Sequence, residues 1–127
     1  MTKRYSRIIG ICCALILSII GMSSAQKKSV TVHGEIVELT SYVKEAIKPT
    51  SPAGKEIAID NVKKGGAFAM LEKGTNKIYL LTTGSQDTAF VQTISPYLGI
   101  NSFVKGKIYT RSGVRLIAVE DIGKSLK

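Results

Sequence analysis

The stretch Val32-His33-Gly34-Glu35-Ile36, "VHGEI", returns as Val104-Lys105-Gly106-Lys107-Ile108, "VKGKI", seventy-two positions further along the chain. Each copy sets a glycine between two polar or charged residues and frames it with branched apolar ones. Successive side chains of an extended backbone point to opposite faces. Val32, Ile36, Val104 and Ile108 therefore face one way, and His33, Glu35, Lys105 and Lys107 the other. Glycine weakens a strand interior unless the backbone must bend or a neighbour must come close. A small barrel needs such bends in strands that pair to close the sheet, and Gly34 and Gly106 are the expected bending points.

The segments between and around the two copies fit that reading. Residues 30–43, "VTVHGEIVELTSYV", are rich in β-branched and aromatic side chains and read as one long first strand. Residues 48–54, "KPTSPAG", are a loop by composition, while "KEIAIDNVKK" (55–64) reads as a short helix with Ile57, Ile59 and Val62 turned inward, though their spacing is imperfect. "GAFAMLE" and "KIYLLTT" flank Lys73-Gly74-Thr75-Asn76, a hairpin turn of residues that tolerate positive φ. Phe90, Val91, Ile94 and Leu98 then fall on one helical stripe. Ser85 or Asp87 would cap it, Pro96 limits its last turn and Gly99 stops it. "NSFVKGKIY" and "GVRLIAVEDI" close the series as a hairpin through Thr110-Arg111-Ser112-Gly113.

Five strands with one helix between the third and fourth is the order of an OB-fold-like Greek-key barrel, expected here over residues 30–122 and mainly β. An SH3-like or other small barrel would need similar bends, and the helix between strands three and four favours the OB arrangement. A lead-in (26–29) and a tail (123–127) flank the domain.

The first 25 residues differ from the rest. Lys3, Arg4 and Arg7 precede an apolar run, "IIGICCALILSIIGM" (8–22), and Ser23 and Ala25 are small residues placed for cleavage after Ala25. This is the layout of a secretory signal peptide, and the apolar run is shorter than the ~20 residues that cross a bilayer as a helix. The rival reading is an uncleaved anchor. Cys12 and Cys13 both lie in this run, so an exported chain starting at Gln26 enters its compartment without disulfides, thiol chemistry or thiolate ligands. Fifteen of the eighteen Lys and Arg and all nine Asp and Glu follow residue 25, a net charge of +6 against +9 for the whole chain. Such an excess favours an anionic partner or simply keeps the surface soluble.

"GEIVELTSYV" (34–43), the glycine hairpin and "PYLGINSFVKGKIYTRSGVRLIAVEDI" (96–122) together resemble a group of small exported bacterial proteins with an OB-like domain, over residues 30–122. In many of those relatives the first strand ends in a Cys-Tyr pair, with further cysteines ahead of the second strand. Ser41-Tyr42 stands here instead, and no cysteine lies between 44 and 66, so a thiol or metal role is not implied. The resemblance implies the fold and the export and carries no established activity.

The residue types argue against an enzyme. His33 is the sole histidine, and it lies on the outward side of its strand. One histidine without cysteine leaves only carboxylates for a metal, and no cofactor is expected. Lys105 or Lys107 is the expected cross-strand partner of Glu35. Glu120 and Asp121 are adjacent on a strand and diverge, Glu35 and Glu38 diverge likewise, and no G-x-S-x-G elbow or Walker pattern occurs.

Binding is the expectation that remains. OB-folds engage ligands on the face of strands two and three, between the loops after strand one and between strands four and five. Lys63 and Lys64 lie in the first loop, Arg111 in the second and Arg115 just beyond. Tyr42, Phe68, Tyr79 and Tyr109 offer flat rings, and a cationic groove with an aromatic platform is what single-strand binders combine. Each has a plain alternative: Phe68 and Tyr79 as core, and the lysines as solvated charges offset by Glu45, Glu56 and Asp60. Export makes genomic DNA a poor candidate, and an anionic polymer such as an acidic glycan, or an envelope protein, fits better. The leader adds a transient membrane contact.

Overall fold

The first strand ends sooner than its β-branched composition suggests. In the computed structural model, which describes residues 27–83 and 88–126, β1 covers Val30–Glu38 and the chain turns at once into helix α1, Leu39–Glu45. Glu38 makes the switch. Its carboxylate accepts the backbone N–H groups of Thr40 at 3.1 Å and Ser41 at 2.8 Å, as an N-cap does. Ala46, in the left-handed conformation at φ 54°, ends the helix.

Helix α2, Pro52–Lys63, starts within the segment expected to be a loop. Ser51 caps it by accepting from Gly54 N at 3.0 Å, and Pro52 occupies the first turn, where its missing N–H costs nothing. Ala58 faces the core with Ile59 and Val62 packed beside it, but Ile57, expected inward, is 60% exposed.

β2 (Phe68–Glu72) and β3 (Ile78–Thr82) form the expected hairpin, with Gly74 at φ 90° and Asn76 at φ 56° in its turn. Helix α3 (Thr88–Ile94) passes into a 3-10 turn, Ser95–Tyr97, at Pro96. Phe90, Ile94 and Leu98 are buried as one stripe. The residues proposed to cap this helix, Ser85 and Asp87, lie outside the described residues, as does the expected leader. β4 (Asn101–Arg111) and β5 (Val114–Lys124) turn on Ser112 and Gly113, both at positive φ.

The five strands close into a ring in the order β1-β2-β3-β5-β4, antiparallel throughout except for the parallel pair β3 and β5. Among the described residues the protein is thus mainly β with three α-helices, of which α2 and α3 answer to the helices expected near 55–64 and after the third strand, and α1 was not expected. The two glycine motifs meet at Val32 opposite Val104, and from that pair the strands run antiparallel, setting Gly34 against Ser102 and Gly106 against Val30. The two bends are therefore separate corners. A Cβ on Gly34 would lie 1.9 Å from the carbonyl oxygen of Leu71 on β2, and one on Gly106 would lie 2.1 Å from that of Ala118 on β5. At Gly106 the register against β5 jumps from Lys105–Asp121 to Gly106–Val119, which leaves Glu120 as the extra residue of a bulge.

The core lies inside the ring and under α3. Ile36, Phe68, Met70, Leu81, Ile94, Leu98, Val104 and Ile117 are almost wholly buried, each large side chain contributing about 1.5–3 kcal/mol of burial. Phe68 meets Phe90 edge to face at 6.3 Å.

Candidate functional site

Strand alternation gives β2, β3, β5 and β4 a second, outward face, apolar on β2 and β3, where Ala69 and Leu71 are buried, and mixed apolar and cationic towards β4. Met70, Tyr79, Leu81 and Ile117 point into the ring. Their neighbours Ala69, Leu80 and Leu116 point away, and the register aligns Ala69 with Leu80, Leu80 with Leu116 and Leu116 with Tyr109 in one row across four strands. Leu80 and Leu116 are only half-buried, and Tyr109 at the end of the row is 44% exposed. Lys27 sits over the Tyr109 ring, 4.3 Å from its centroid, and donates to Ile108 O at 3.1 Å. Lys107, opposite Ala118, and Arg111, opposite the exposed Val114, point to the same side. An apolar row ending in a cation-capped ring is suited to a partner with flat or apolar faces and negative charge.

The residues singled out from sequence separate into two groups. Tyr109, Arg111 and Arg115 belong to the β4–β5 hairpin, with Tyr79 near Arg115. Tyr42, Lys63, Lys64 and Phe68 belong to the other end of β1, where α1 and α2 lie. Nine residues of β1 separate the two ends, roughly 25–30 Å at the rise of a strand.

In the first group Tyr79 points inward and is buried. Its hydroxyl donates to Glu72 Oε2 at 2.9 Å, and Thr75 donates to the other carboxylate oxygen at 2.8 Å. Burial first, then the hydrogen bond to Glu72 and its negative charge, push the phenol above its ordinary pKa, while Arg115 pulls the other way. Arg111 is exposed and Arg115 half-buried.

In the second group Phe68 is a core residue rather than a stacking surface, and Tyr42 is half-buried on α1 rather than on a strand. Lys63 is exposed. Lys64 pairs with Asp60 at 2.8 Å, a bond that raises its pKa. The expected partner of Glu35 is corrected as well: Lys48, from the loop between α1 and α2, reaches it at 3.3 Å, while Lys105 stands opposite Asp121. His33 lies 3.1 Å from Ser125 Oγ and tilts against Phe103, where it ties the chain end to β1.

Leu80, Leu116 and Lys27 were not singled out from sequence. The signal for the two leucines was present: "IYLL" and "RLIAV" are apolar at consecutive positions, so both faces of β3 and β5 are apolar. Among the described residues no group of three metal-binding side chains converges, and no helix is long and apolar enough to cross a membrane. No protein-family model matches the chain, and no curated protein matches it.

Proposed function

We propose that this chain is an exported, non-enzymatic binding or accessory module, an OB-like barrel that holds an anionic oligomer such as an acidic glycan on the outward face of β3, β5 and β4. The observation that carries the reading is the row Leu80–Leu116–Tyr109, with Lys27 over the ring and Lys107 and Arg111 beside it. The ring order β1-β2-β3-β5-β4, with α3 between β3 and β4, supports the OB-like assignment and the likeness to small exported bacterial proteins. The basic start, apolar run and small residues before Gln26 support export with cleavage after Ala25. An N-terminal mass that begins at Met1 instead would assign the chain to the membrane-anchored class.

Titration of the purified protein with an acidic polysaccharide and with a single-stranded oligonucleotide, each at rising salt, tests the reading. Binding weakens as salt rises, Tyr109→Ala costs about tenfold in affinity, and Arg111→Ala lowers the salt slope by about one. Binding no stronger than that of a similarly basic control protein overturns it. A second reading, docking onto an envelope protein, is favoured by the exposed Val43 on α1. One dominant protein adduct on cross-linking in cells would select it.

A further inference from the structure

We infer that the segment Lys27–Ser29 is a strap that closes the Tyr109 ring in the free protein and swings aside when an acidic oligosaccharide stacks there, Lys27 exchanging the ring for the ligand's carboxylate. The inference rests on the reading of Tyr109 as a binding ring and adds a barrier at that same ring. The ladder between β1 and β4 begins only at Val30, opposite Gly106, and residues 27–29 lie ahead of it, exposed and outside any strand. Side chains hold them in place. Lys27 Nζ lies 4.3 Å from the centroid of the Tyr109 ring and donates to Ile108 O at 3.1 Å. The Ser29 hydroxyl donates to Glu120 Oε2, on the extra residue of the β5 bulge. Val30 and Val119 both stand opposite Gly106, so the bond from Ser29 reaches across β4 and ties the segment to β5.

An ammonium group that close to the ring occupies the position a stacked sugar would take, and one ring face cannot hold both. The strap is nevertheless easy to move. Lys27, Ser29, Tyr109 and Glu120 are all exposed, and contacts of this kind between exposed groups are weak because water competes for them. Opening the strap leaves the β1–β4 ladder untouched, since the ladder starts after it. The ion pairs among the described residues join Lys48 to Glu35 and Lys64 to Asp60, so the charge of Lys27 has no carboxylate to hold it back. Released from the ring, it stands on the same face as Lys107 and Arg111, next to whatever covers Tyr109. A neutral sugar must displace the ammonium group and offers its charge nothing in return. An acidic sugar offers both a flat face for the ring and a carboxylate for the amine. The strap therefore selects against neutral sugars while leaving acidic ones a way in.

The test is NMR of the purified protein titrated with hexagalacturonate and, in parallel, with neutral maltohexaose. In the free protein the Cε protons of Lys27 are expected upfield of an ordinary lysine, shielded by the Tyr109 ring, and the displacement disappears as hexagalacturonate saturates the face. Ser29→Ala removes the tie to Glu120 while leaving the ring and every charge of the strap in place, and it raises the affinity for hexagalacturonate about threefold. Lys27→Gln reduces the preference for the acidic over the neutral hexamer about tenfold, because barrier and receiving charge go together. Binding with the Lys27 protons still upfield at saturation, or unchanged or lower affinity in Ser29→Ala, overturns the strap and leaves the binding face standing. If neither the native protein nor Ser29→Ala binds hexagalacturonate, the binding reading falls and the strap falls with it.

Discussion

Gly34 and Gly74 require glycine for opposite physical reasons. Gly74 has open space around it but sits at φ 90°, so a side chain there meets only backbone strain, about 1–2 kcal/mol. Gly34 has no such conformation, but a Cβ would drive into Leu71 O. That clash is with backbone, and relief means separating β1 from β2. Gly34→Ala should lower the unfolding free energy by about 3 kcal/mol or more and Gly74→Ala by about 1, read from urea midpoints at constant slope. Equal losses would show that the close strand approach is not what demands glycine at Gly34. This part of the fold was legible because glycine inside an alternating pattern is a local signal. Glu38 was not, because its cap is completed by the turn that follows and its burial by Gly66 and Asn61, which come from distant sequence. Its carboxyl is held below its ordinary value, so the stability it adds is present above that value and disappears as pH falls through the lower, folded one. Glu38→Gln should therefore be less stable than the native chain at neutral pH, with the difference shrinking as the solution is acidified below the ordinary carboxylate range. A difference that stays constant through that range would show that the carboxylate charge contributes nothing.

Composition misled most at the elements where local preference and tertiary packing compete. Leu39–Glu45 contains Thr, Tyr and Val, all good strand formers, yet it is helical because Glu38 caps it and Leu39 N is already bonded to Ala67 O at 2.9 Å. Ser51-Pro52, by contrast, is a helix start visible in sequence, and it was absorbed into a loop reading because Pro and Gly dominate its surroundings. Ser51→Ala removes the acceptor for Gly54 N and should cost about 1 kcal/mol in thermal unfolding, with α2 fraying first in amide exchange. The β4–β5 hairpin works the other way. Ser112 at φ 50° and Gly113 at φ 81° form the two-residue turn of left-handed conformations that favours Asn-Gly. Ser112→Asn should raise stability by about 0.5 kcal/mol, and no gain would mean that the turn is already relaxed with serine.

Closure of the whole ring follows from how the chain divides its pairing. β1 serves two neighbours: Gly34 stands opposite both Glu72 on β2 and Ser102 on β4, so one strand joins the hairpins on either side. That junction was legible from the repeated glycine motif. The continuous outward row Leu80–Leu116–Tyr109 was not, since it depends on β3 lying parallel to β5, a pairing of segments far apart in sequence that no local pattern announces. The same seam is short, with three registered pairs as between β2 and β3, and unlike that one it is parallel and not closed by a hairpin turn. β4 and β5 are registered along their length, but β3 meets β5 only at Leu80–Leu116, Leu81–Ile117 and Thr82–Ala118, and parallel pairing is slightly less stable per residue. What holds the seam is the packing of Leu81 and Ile117 inside the ring rather than length of ladder. Under native conditions the amides of Leu81, Thr82 and Ile117 should thus exchange through a partial opening of lower free energy than the β1 and β4 amides, which wait for global unfolding. Leu81→Ala should lower the exchange free energy of both sets, because the leucine also supports the core, by about 2–5 kcal/mol. If the seam amides of the native protein exchange only with global unfolding, the ring opens as a single unit, and the outward face, which spans the seam, is as rigid as the rest of the sheet.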